Sequence, residues 1–229
     1  MRISTSAFVL ACLATPGLAA AQETSDTQGA VSGALVYGRG AGPFARNVQL
    51  AIGLTLSAHR DAALRGRLGV GLEATYLYYG SDLNTRAHVG ATTSQVLVLG
   101  VGSRLHSRFG PVEPYVSTSL GAAFFVTAST NRNSSTFLSP NGGGTEGGFF
   151  DHVDVAFPAA TAGGGIRLRL TRGHRPVSLD LGARYQVTPA ASYVTQGGAI
   201  DLPDGNSELA TAESPTAFWL FTLGVAMRF

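Results

Sequence analysis

Read back from Phe229, every second residue of the C-terminal stretch is apolar and mostly large: Phe229, Met227, Val225, Leu223, Phe221 and Trp219. Between them stand Arg228, Ala226, Gly224 and Thr222, a small or polar file. A period of two is the period of a β-strand, so one face of this strand is greasy and the other is not. As the edge of a sheet in water, such a strand would invite pairing with other chains, because neither Lys nor Pro guards it. The apolar face therefore calls for a non-aqueous neighbour.

The same alternation recurs upstream. Residues 48–58 set Val48, Leu50, Ile52, Leu54 and Leu56 against Gln49, Ala51, Gly53, Thr55 and Ser57, and residues 68–79 set Leu68, Val70, Leu72, Ala74, Tyr76 and Tyr78 against Gly69, Gly71, Glu73 and Thr75. Residues 94–105, 114–127, 157–170 and 177–188 repeat the pattern, and residues 30–37 carry a weaker version. With the C-terminal stretch these make an even number of strands. Their connections alternate: 59–67, 106–113 and 171–176 are short, whereas 80–93, 128–156 and 189–215 are long and polar. Large apolar residues on one face and Gly, Ser and charges on the other invert the pattern of a soluble lipocalin-like barrel. The expected fold is all-β, an eight-stranded antiparallel up-and-down transmembrane β-barrel, with an outer apolar face in lipid and a polar interior.

The N-terminus gives the address. Arg2, the apolar run 7–14 and Ala19-Ala20-Ala21 before Gln22 have the form of a secretory signal with a small-residue cleavage site. The chain divides into a signal peptide, 1–21, a short periplasmic tail, 22–29, and a barrel, 30–229. Cys12 is the only cysteine and lies inside the signal, too early for a lipoprotein box, so the mature chain is read as having no disulfide or thiolate chemistry. After the signal no apolar run approaches the ~20 residues of a membrane helix. A formal net charge of +2 provides no basic field for nucleic acid.

The signal, the alternating strands and the terminal Phe229 together resemble the small bacterial outer-membrane β-barrel family that includes OmpA-type and OmpX-type domains. Gly-Pro-Val-Glu-Pro-Tyr at 110–115 is similar to a turn and strand start found in such barrels. The resemblance implies a monomer in the outer membrane with both termini in the periplasm and the long loops on the cell surface. It also implies contact with outer-membrane lipid and lipopolysaccharide, and recognition of Phe229 by the barrel assembly machinery. In that orientation the external connections are net acidic and the periplasmic turns net basic. Tyr37, Phe44, Tyr76, Tyr78, Tyr185 and Trp219 would form an outer aromatic girdle, with Phe109, Tyr115 and Phe229 at the inner one.

The polar residues offer few constellations for chemistry. His88 and His152 fall on external connections, and His59, His106 and His174 on periplasmic turns. Asp151-His152-Val153-Asp154 has the makings of a metal or acid/base cluster, but reads more simply as a solvated loop. Asp201, Asp204 and Glu208 miss the spacing of an EF-hand, and Gly163-Gly164-Gly165 lacks the Lys-Ser/Thr of a phosphate loop. The informative set is inward: Glu73, Arg104, Arg167, Arg169, Asp180 and Arg184 share the polar phase of their strands, and are read as a salt-bridged lumen plug. No catalytic, cofactor or metal residue is assigned. The expected role is structural, adhesive or surface-interacting; the alternatives are a lipid A deacylase or acyltransferase, and a narrow channel for small or hydrophobic solutes.

Overall fold

A computed structural model describes residues 29–64, 66–82, 89–131, 152–171, 173, 175–201 and 207–229, so the signal segment lies outside the described residues. The strands are β1 (Gly29–Gly40), β2 (Leu50–Ala63), β3 (Leu68–Asp82), β4 (Val89–His106), β5 (Val112–Asn131), β6 (His152–Arg169), β7 (Val177–Asp201) and β8 (Ser207–Arg228), with a short 3-10 helix (Gly42–Arg46) between β1 and β2. Each pairs antiparallel with its chain neighbours, and β8 closes on β1 from Ala30↔Arg228 to Gly40↔Phe218. The closure ends in reciprocal backbone bonds: Gly29 N–H to Phe229 O at 2.9 Å and Phe229 N–H to Gly29 O at 3.0 Å. The weakly patterned first strand forms because it is clamped on both sides, where neighbours outweigh local preference.

The outer wall is apolar as expected. Leu35, Leu54, Leu56, Val101, Val116, Leu223 and Val225 are exposed, and Leu72 is 67% exposed. Tyr37, Tyr76 and Trp219 stand exposed nearer the loop end; the Tyr76 hydroxyl donates to Gln95 Oε1 at 2.5 Å and Tyr185 packs on Trp219.

Several boundaries move. The connection 59–67 shrinks, since β2 runs to Ala63 and carries His59 and Asp61 on the strand. The stretches 128–156 and 189–215 are not loops throughout: β5 reaches Asn131, β6 starts at His152, and β7 and β8 stay paired to Asp201↔Ser207. Polar side chains concealed these extensions, because a ladder is made by the backbone, and a strand beyond the bilayer has no need of an apolar face. Val48 precedes β2 and is buried, its N–H bonded to Phe44 O at 2.9 Å. Phe44 and Tyr115, expected at the girdles, both point inward and are buried. The interior itself is zoned. Toward the termini it is polar as expected, but toward the loops the inward positions hold Val36, Leu77, Val96, Phe125, Phe218 and Leu220. A lumen this narrow has to be filled, and outside the charged zone apolar side chains fill it without unmet hydrogen bonds.

An outward Arg near mid-bilayer costs roughly 2–4 kcal/mol. Leu72→Arg is therefore expected to lower unfolding stability in liposomes by about that amount, measured by denaturant titration; a change below ~0.5 kcal/mol would remove this face from lipid.

Candidate functional site: the charged lumen

Alternation puts Glu73 of β3, Arg104 of β4, Arg167 of β6, and Asp180 and Arg184 of β7 on the inner wall, and all are buried or nearly so. Long side chains fit there because bare backbone lies beside them. Tyr115 lies across β6 and reaches β7: a Cβ on Gly165 would stand 2.6 Å from its hydroxyl oxygen, and one on Gly182 2.8 Å. Within the Gly163-Gly164-Gly165 run, Gly165 thus makes room for the Tyr115 ring, while Gly163 and Gly164 lie close to the backbone oxygens of Ala183 and Tyr115, where a Cβ would stand at 2.3 and 2.7 Å.

Asp180 is the hub. Its Oδ2 accepts from Arg167 Nε at 2.9 Å, its Oδ1 accepts from the Tyr115 hydroxyl at 2.7 Å, and Arg104 Nη1 stands 3.7 Å from Oδ2. The Arg104 guanidinium lies 4.3 Å from the Tyr115 ring centre, a cation-π stack. Across the lumen Arg184 Nη1 donates to Glu73 Oε1 at 2.5 Å. Nearer the termini a second group gathers on Glu113, whose Oε1 accepts from Arg228 Nη2 at 2.6 Å while Arg108 Nε lies 3.6 Å from Oε2. Asp61 Oδ2 is 3.9 Å from both Arg108 and Arg228, and Arg228 Nη2 is 3.2 Å from His106 Nε2. Arg167 joins the two groups, its Nη1 being 3.9 Å from Glu113. Asp61, Glu113 and Asp180 are thus each flanked by two or more guanidiniums and Glu73 by one, which offsets the cost of desolvating them.

Of the inward set, Arg169 stands apart. It has the right phase but sits at the last position of β6, exposed, and makes no ion pair among the described residues. Conversely, Asp61, His106, Glu113 and Tyr115 belong to the network although their segments read as turns or girdle, and Arg228 joins them from the polar file of β8. The available signal was register: extending the alternation of β2 through His59 and Asp61 puts both inside.

Above the charges sits an apolar stopper. The 3-10 helix folds over the loop end and inserts Phe44, 0% exposed, with its ring centre 4.8 Å from those of Tyr193 and Phe218 and 6.2 Å from that of Tyr79. Asn47 Nδ2 donates to the Tyr193 hydroxyl at 3.0 Å, and that hydroxyl is 3.0 Å from Ser214 Oγ. The inserted helix is pinned by these bonds.

The other candidates have structural explanations or lie elsewhere. Asp154 accepts the Val155 N–H at 2.8 Å and the Ser192 N–H at 2.6 Å, tying β6 to β7 beyond Ala160↔Val187, where their ladder stops. His59 and His106 face the lumen and are buried. Among the described residues no group of three or more His, Cys, Asp or Glu is arranged to hold a metal. His88, Asp151, His174 and Asp204 lie outside the described residues.

No family model matches the chain, and none of the curated proteins matches it. Solved structures do. Neisserial surface protein A is 14% identical with a TM-score of 0.49, over 88% of this chain and 97% of that one. The attachment invasion locus protein Ail of Yersinia pestis, solved with the heparin analogue sucrose octasulfate, is 11% identical with a TM-score of 0.48, over 90% and 100%. A major outer membrane protein from Thermus thermophilus is 17% identical with a TM-score of 0.49, over 89% and 98%. The closed antiparallel sheet and its apolar outer wall make this chain an eight-stranded up-and-down β-barrel of the transmembrane kind.

Proposed function

We propose that the protein is a non-conducting, monomeric surface-interaction barrel that presents its long hairpins outside the cell, with both barrel termini in the periplasm. Strand length carries this reading. A tilted strand needs about 9–11 residues to cross a bilayer. β1 has 12 residues, whereas β7 has 25 and β8 has 22. Beyond Val187 on one side and Phe218 on the other, the ladders to β6 and β1 stop and β7 and β8 continue as a ribbon paired to each other, its base held by the Asp154–Ser192 bond and by Tyr193 against Phe44. Such a ribbon is a stiff display element, suited to structural, adhesive or partner-binding work. The charged network and the Phe44 stopper both argue against a channel. Lipopolysaccharide and outer-leaflet lipid would surround the wall beneath the ribbon, and Phe229 would serve as the assembly signal.

Because the mature segment contains no cysteine, single cysteines can report sidedness. On intact cells a membrane-impermeant maleimide is expected to label Glu213→Cys and spare Arg175→Cys; the reverse would invert the orientation and withdraw the display role. A second expectation concerns the plug. Breaking a buried ion pair by removing one partner costs about 3–5 kcal/mol. Asp180→Ala and Glu73→Ala should each destabilise by that order in gel-shift melting, while Glu213→Ala on the exposed ribbon should stay within ~0.5 kcal/mol of the parent. Equal melting of all three would dismiss the network as a stabilising plug.

A further inference from the structure

Among the described residues, one lumen cation has every side-chain hydrogen bond unmet. Arg104 is 2% exposed, and none of Nε, Nη1 and Nη2 finds an acceptor among the described residues. The carboxylates are engaged elsewhere: Asp180 accepts from Arg167 and Tyr115, and Glu73 from Arg184 Nη1. Among the described residues of the charged lumen His59 Nδ1, Arg228 Nη1, the Ser117 hydroxyl and Arg184 Nε are also unmet. Register joins Arg104, Ser117 and Arg184. Arg104 pairs with Ser117, Ser117 with Gly163 and Gly163 with Arg184, a single cross-strand row over β4, β5, β6 and β7. Gly163 keeps the wall bare in the middle of that row, since a Cβ there would stand 3.0 Å from Arg184 Cβ.

We propose that this row binds a small monovalent anion of the chloride class, held by the Arg104 edge, the Ser117 hydroxyl and Arg184 Nε–H. A buried guanidinium without acceptors is costly, and the row sets several such donors on neighbouring strands of the same inner wall. Asp180 is shared by Arg104 and Arg167, and Arg167 also reaches Glu113 at 3.9 Å, so among the described residues Arg104 is the buried guanidinium whose charge has no hydrogen-bonded carboxylate. Water would satisfy the N–H groups but not that charge. A dianion would be disfavoured, because Asp180 stands 3.7 Å from Arg104 and Glu73 is paired with Arg184. The inference rests on the reading of the lumen as a closed charged network, and it extends that reading from a passive plug to a ligand site.

The test uses the whole barrel refolded in detergent without halide, with bromide as the probe. Bromide should raise the melting temperature saturably relative to gluconate at equal ionic strength, and crystals grown in bromide should show an anomalous peak beside Arg104 and Ser117. Ser117→Ala should shift the half-saturating bromide concentration upward by about tenfold, the weight of one hydrogen bond to a charged group. Arg104→Met should abolish the response; if that variant does not fold, Ser117→Ala and the anomalous peak decide. Identical melting of the parent in bromide and gluconate, or no peak at the row, overturns the proposal. Ion current through the parent, recorded alongside, separates the two failures: a steady current defeats the closed network, whereas a closed barrel indifferent to bromide defeats the anion site alone.

Discussion

Closure of the sheet is the constraint on which the rest of this structure depends. In hydrocarbon every backbone N–H and C=O has to be satisfied by the protein, and a sheet achieves this only by having no edge. Here the last edge is removed where β8 meets β1, down to the paired backbones of Gly29 and Phe229. Closing at eight strands also sets the bore, leaving an interior just wide enough for side chains. Whatever occupies the inward phase has to pack, pair or be small.

Two different solutions share that bore. Toward the termini the charges are arranged so that Asp180 and Glu113 each gather more than one guanidinium, with Arg167 between them. Toward the loops Phe44 enters from the 3-10 helix and completes an aromatic cluster with Tyr79, Tyr193 and Phe218. Hydroxyls pair with one another as well, Thr55 with Thr75 at 2.9 Å between the tiers and Thr188 with Thr216 at the base of the β7–β8 ribbon. Glycine makes the crowding possible: where Tyr115 lies flat against β6 and β7, a methyl group on Gly165 or Gly182 would collide with it.

The outer wall was legible in the sequence because lipid imposes one simple demand on every second residue, and Leu54, Leu72, Val101 and Leu223 all meet it. The interior was legible only in part. Glu73, Arg104, Arg167, Asp180 and Arg184 follow from phase alone, but phase does not say where a strand ends. Arg169 is in phase yet already at the mouth, while Asp61 and Glu113 lie in stretches whose polarity resembles a turn and are strand residues facing inward. Phe44 has no periodic signal at all. Its burial comes from a 3-10 turn that folds back over the barrel, a tertiary event that the local sequence Gly-Pro-Phe-Ala-Arg does not announce.

The central claim is that two independent tiers, one aromatic and one charged, seal the lumen. Conductance in planar bilayers tests it most directly, with the parent compared against Phe44→Ala, Asp180→Ala and the double variant. The account predicts no steady current from the parent or from Phe44→Ala, because the charged tier still blocks the bore, and the first sustained openings when both tiers are cut. A steady open current from the parent barrel would contradict it.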